Sequence, residues 1–74
     1  MEKNLLRLLR GEVSQEKMAQ KYGVTQQAWY FWESGRNTPS NEIMLQMERD
    51  FSIPMEVIFF NSFNYKQNLE KKDT

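Results

Sequence analysis

With 74 residues the chain has room for one small domain, and a chain of this size buries only about 60% of the surface that its unfolded form exposes. It contains no Cys and no His, which removes disulfides, thiolate nucleophiles, the usual zinc ligands and the commonest acid–base side chain, and with them most enzyme chemistry. The formal net charge is zero, but residues 1–40 carry six bases against four acids, net +2, and residues 41–74 carry four against six, net −2. That asymmetry has the sign that a first half facing a polyanion requires. No apolar run reaches the roughly 18 residues of a membrane span, and "MEKNLLRLLRGE" has neither the apolar core nor the cleavage site of a signal peptide, so a soluble, cytoplasmic protein is expected.

In chain order, Leu5, Leu6, Leu8 and Leu9 recur at helical spacing and Gly11 follows as a stop, which predicts a short amphipathic helix over residues 2–10. Its core pair is either Leu5 with Leu8 or Leu6 with Leu9. Ser14 is a good N-cap for a second helix over 15–22, with Met18, Ala19 and Tyr22 on one face and Gly23 supplying the positive φ beyond its end. Thr25 caps a third helix, Ala28, Trp29 and Trp32 share its apolar stripe, and Ser34 and Gly35 terminate it.

"RNTPS" is loop material, and Ser40 caps a fourth helix over 42–50 with Ile43, Met44, Leu45 and Met47 as its apolar residues. Pro54 at a first helical position opens a short fifth helix holding Met55, Val57, Ile58 and Phe59. "SFNYKQNLEKKDT" is polar, with Phe63, Tyr65 and Leu69 set in it, and reads as an extended arm, a weak helix or a frayed tail. There are no internal repeats, glycine-rich phosphate loops or low-complexity tracts.

The series Ser14-Gln15, Met18-Ala19, Gly23-Val24-Thr25, Trp29, Trp32-Glu33, Gly35 and Pro39 resembles the phage-repressor and Cro-like helix-turn-helix family, the XRE family, over roughly residues 14–58. Each position has a physical reason: Ala19 is small where two helices cross closely, Gly23 makes the turn, and Val24, Trp29 and Trp32 fill the core beneath the third helix. In the family, a Glu placed as Glu33 is helps to fix the end of the recognition helix. The resemblance implies an all-α, five-helix, lambda-repressor-like DNA-binding domain over residues 1–60 with a short tail over 61–74, and a transcriptional regulator that binds double-stranded DNA. The start departs from the family pattern: only "GEV" separates Arg10 from Ser14, so the resemblance does not place Arg10 on a phosphate.

A recognition helix lies in the major groove with its N-terminal side chains toward base edges, while the preceding helix crosses the backbone. On this chain the base-reading residues are then Thr25, Gln26 and Gln27, and the amide of Gln both donates and accepts, as the N6 and N7 edge of adenine requires; the alternative is that both glutamines are ordinary solvated residues of a helix surface. The resemblance places Gln15 on a phosphate at the start of the second helix, where backbone N–H groups and the dipole also favour an anion. Arg36, Asn37 and Thr38 follow the recognition helix, where relatives grip the sugar-phosphate backbone. Lys17 and Lys21 add attraction for DNA or form an ordinary solvated face.

Trp29 and Trp32 are three apart on core positions and are expected to pack and not to read. Tyr30 and Phe31 stand where relatives carry polar residues facing outward, and three readings compete. Phe31 contacts a thymine methyl while Tyr30 bonds a phosphate, counting both among the DNA-reading residues; or the pair is an apolar patch for another protein; or Phe63, Tyr65 or Leu69 folds back to cover it. A homodimer on two related half-sites is expected, because one near-neutral domain makes few contacts and releases few counterions. Met55, Phe60 and Phe63 are its interface candidates, and Ile58 and Phe59 finish the monomer core. The competing function is a protein-binding helical module of the antitoxin or anti-regulator kind. No catalytic residue, metal, cofactor or small-molecule ligand is proposed.

Overall fold

The computed structural model describes residues 4–62, and the expected Phe63, Tyr65 and Leu69 lie outside them. Five helices follow in chain order: α1 Leu6–Arg10, α2 Gln15–Lys21, α3 Gln26–Glu33, α4 Asn41–Phe51 and α5 Met55–Ile58. Three of them begin on the hydroxyl caps that the sequence marks. Ser14 Oγ accepts the Lys17 N–H at 3.1 Å, Thr25 Oγ1 the Ala28 N–H at 3.1 Å, and Ser40 Oγ the Ile43 N–H at 3.4 Å. Each satisfies one of the N–H groups that a first helical turn leaves without a carbonyl, and such a cap contributes about 1 kcal/mol. Gly23 follows α2 at φ +69°, a region that a residue with a Cβ enters at a cost, and this turn directs α3 across α2.

Ala19 is 2% exposed, as a close crossing of α2 and α3 demands. Around it Leu6, Trp29, Met47, Ile58 and Phe59 are fully buried, with Met18, Tyr22, Trp32 and Met44 nearly so. Every helix thus contributes to one core. Val24, Ile43, Phe51, Ile53 and Met55 pack against its edge. The rings of Tyr22 and Trp29 stack with centroids 5.8 Å apart, and Trp29 meets Trp32 at 5.7 Å in a tilted pair. Both indoles are therefore core residues, as their spacing predicts, and Ile58 and Phe59 close the core from the C-terminal side.

Two expectations need correction. The first helix starts at Leu6 and not at residue 2, because Asn4 is buried and turns the chain. Its Oδ1 accepts the Leu6 N–H at 3.0 Å and its Nδ2 donates to the Trp32 carbonyl at 2.7 Å. Leu6 with Leu9 is the core pair, and Leu8 is 64% exposed. Leu45, one of the apolar residues that mark α4, is exposed, since Met44 and Met47 take the inner face. Pro54 stands one position before α5, with an extended ψ of 142°, and the Met55 N–H is taken by Glu48 Oε2 at 3.1 Å. Residues 60–62 are again helical, and the rest of the tail lies outside the described residues.

Two contacts tie the outer helices to this frame. The Leu5 N–H donates to the Ile58 carbonyl at 2.9 Å, joining the start of α1 to α5. The Tyr22 hydroxyl donates to Asp50 Oδ2 at 2.8 Å, joining α2 to α4, and burial followed by this bond pushes the phenol above the ordinary tyrosine range. Tyr22→Phe is expected to lower unfolding stability by about 1 kcal/mol, read as a lower midpoint in urea with an unchanged slope, because exposed Asp50 is left to water.

Candidate nucleic-acid interface

Eight residues, QQAWYFWE, make α3, and the 100° step between neighbours sorts them. Trp29 and Trp32 point into the core, Ala28 flanks them half-buried, and Gln26, Gln27 and Tyr30 face solvent. Gln26 and Gln27 occupy the first turn, directly after the cap, so a backbone fixed by Thr25 carries both exposed amides. Thr25 itself is exposed, but its hydroxyl oxygen already accepts the Ala28 N–H, which leaves its proton, one lone pair and its methyl for a partner.

Tyr30 and Phe31 part company. Tyr30 is 53% exposed and faces α1 and α2, where it lines an open groove of about 310 Å³ with Arg7, Arg10, Gln15, Glu33 and Ser34. Phe31 is half-buried on the other flank, under the Arg36 guanidinium, whose central carbon stands 4.8 Å from the ring centroid. The two rings meet at 5.9 Å, inclined by 50°. The Phe31 carbonyl accepts the N–H groups of Arg36 at 3.0 Å and Asn37 at 3.4 Å, and so holds the loop after α3 against the helix end. Arg36, Asn37 and Thr38 are exposed there and border a second open depression of about 490 Å³.

Glu33 is the electrostatic centre of the site. Its Oε2 accepts from Arg10 Nε at 2.5 Å and from the Trp29 indole N–H at 2.6 Å. Its Oε1 accepts from Arg10 Nη2 at 3.2 Å and Gln15 Nε2 at 3.0 Å. The ion pair is largely shielded, with side-chain exposures of 17% for Arg10 and 7% for Glu33. Burial alone raises the Glu33 pKa, but the bonds from Arg10, Trp29 and Gln15 outweigh it and hold the carboxyl below its ordinary range. One carboxylate at the end of α3 thus joins α1, the start of α2 and the middle of α3. Arg10 Nη1 also donates to the Val13 carbonyl at 2.9 Å, which braces the short "GEV" link.

The structure gathers Gln15 and Tyr30 into the groove and Phe31, Arg36, Asn37 and Thr38 around the end of α3, with Gln26 and Gln27 outside both. Lys17 is exposed on α2. Gln15, expected on a phosphate, spends one amide hydrogen on Glu33 and keeps the second. Met55 and Phe60 are half-buried and Met55 packs on the core, so each offers only part of its surface to a mate. Sequence reasoning missed Arg7, exposed on the groove wall, and the role of Arg10. The three-residue spacing of those arginines on one helix was the available signal for the first; the second needed a partner 23 residues away.

Among the described residues no group of three or more His, Cys, Asp or Glu is placed to hold a metal ion, and no helix is long and apolar enough to cross a membrane. No curated protein and no solved structure matches the chain. The family model described as a helix-turn-helix matches residues 5–58, which cover α1 to α5. With most of its length matched and with α2, the Gly23 turn and α3 in that arrangement, the chain belongs to the helix-turn-helix family, in its Cro-like XRE branch of DNA-binding transcriptional regulators.

Proposed function

We propose that this regulator reads a specific duplex sequence with the first turn of α3 and represses transcription by occluding promoter DNA, as a homodimer on a two-fold-related operator. The observation that carries the reading is the exposure of Gln26 and Gln27 on a capped helix whose indoles anchor it from beneath. A bidentate Gln–adenine pair gives about 1–3 kcal/mol of discrimination. Lys17, Arg36 and Arg7, with the remaining amide hydrogen of Gln15, the Tyr30 hydroxyl, Asn37 and Thr38, supply backbone contacts that orient the domain without reading sequence.

Because Glu33 neutralises Arg10, we assign Lys17, Arg36 and Arg7, among the described residues, as the three cations per protomer that meet phosphates. For a dimer, about six released counterions correspond to a slope near −5 in log affinity against log salt. Selection from a random duplex pool at two salt concentrations tests the reading. The expected product is a palindrome with half-site centres about 10 bp apart or a multiple of that. Recovery of unrelated sequences that disappear with added salt would reduce the function to general phosphate affinity, and recovery of no duplex would favour the competing protein-binding module, in which exposed Tyr30 meets another protein.

A further inference from the structure

We infer that Phe31 reads the C5-methyl group of a thymine, so that each half-site carries a thymine one or two base pairs from the base that Gln27 contacts. The inference rests on the DNA-reading function proposed above and adds the chemical identity of one operator position. Phe31 stands four residues beyond Gln27, one turn along α3 and about 6 Å further on. Both belong to the part of the helix turned away from Trp29 and Trp32.

A phenyl ring has no hydrogen-bonding group, and the major-groove edges of the four base pairs offer one apolar group, the thymine methyl. Facing any other edge, the ring strips water from polar atoms and returns nothing. Its neighbours add orientation. Arg36 stacks on one face at 4.8 Å and Tyr30 meets the ring at 5.9 Å, so Phe31 is held between two side chains before DNA arrives. The Arg36 guanidinium, drawn to the adjacent phosphate, sets the ring beside the groove edge. Tyr30 differs because its hydroxyl suits it to a phosphate and its groove contains Arg7 and Gln15.

Uracil isolates the group in question, since exchanging thymine for uracil removes the methyl and leaves every hydrogen-bonding edge intact. In the duplex recovered by selection, each half-site thymine is replaced singly by uracil, and affinities are measured for the unmodified protein, Phe31→Ala and Phe31→Leu. At one position uracil is expected to weaken binding by the unmodified protein about fourfold per half-site, the effect of one buried methyl. Phe31→Ala binds the thymine and uracil duplexes equally, while Phe31→Leu keeps part of the preference. Thermal melting of each variant checks that the fold persists.

If every uracil duplex binds within error of its thymine parent, or if Phe31→Ala retains the full preference, the inference is overturned while the DNA-reading function stands. If selection enriches no duplex at all, that function fails and the inference falls with it.

Discussion

Gln26→Ala combined with Gln27→Ala is expected to cut the ratio of operator to non-operator affinity by about 100-fold or more, with the melting temperature changed by no more than a degree or two. The size follows from two amide contacts at about 1–3 kcal/mol each. The unchanged stability follows from position: both residues are exposed at the start of α3, Ala is a better helix former than Gln, and neither side chain touches Glu33 or the core. Affinity for random duplex persists, because Lys17, Arg36 and Arg7 are untouched, and its salt dependence keeps the same slope. Competition binding with operator and scrambled duplexes measures the ratio. A variant that loses both affinities equally, or neither, would show that α3 does not read bases.

Glu33→Ala is the second large effect, and it acts in the opposite way. Removing the carboxylate leaves the guanidinium of Arg10, the indole N–H of Trp29 and the amide of Gln15 without their acceptor. Breaking one side of a shielded ion pair costs about 3 kcal/mol, a large share of the stability of so small a domain. Denaturant unfolding at pH 7 measures it. Glu33→Gln keeps the shape and two of the acceptor contacts but turns an NH₂ group toward Arg10, and is expected to fall between the two.

Acid gives an independent reading of the same network. The folded Glu33 carboxyl titrates below its ordinary value, so its contribution is complete above the unfolded value of about 4.3 and fades as pH falls through the folded one. The stability gap between the unmodified protein and Glu33→Gln should therefore narrow between pH 5 and pH 3. A gap of constant size across that interval would place the stabilisation outside the charge of Glu33.

What could be read in the chain beforehand was mostly local. Ser14, Thr25 and Ser40 announce their helices because a cap needs only the N–H three residues on, and Trp29 and Trp32 announce the core because one helix face is set by spacing alone. The features that escaped are those whose partners are distant. Asn4 reads as the polar side of an amphipathic helix until the Trp32 carbonyl, 28 residues away, arrives to bury it. Apolar spacing marks α4 without saying which of Ile43, Met44, Leu45 and Met47 face inward, and packing buries Met44 and Met47 while leaving Leu45 exposed. Glu33 was legible as an anchor of the α3 end and Trp29 lies one helical turn before it, but Arg10 and Gln15 are 23 and 18 residues away on other helices, and no period in the sequence connects them to it. On the candidate site, the split between Tyr30 and Phe31 was equally hidden: the ring of Phe31 lies under Arg36 because the loop folds back to the helix end.

The placing of Phe31, Gln26 and Gln27 on one side of α3 and of Trp29 and Trp32 on the other has a consequence for how such a regulator diversifies. Under the base-reading function proposed above, substitutions that respell the operator fall on side chains outside the fully buried core, so a lineage can change its target genes in single steps without first acquiring spare stability. The carboxylate at 33 permits no such drift, because three neighbours would have to change along with it.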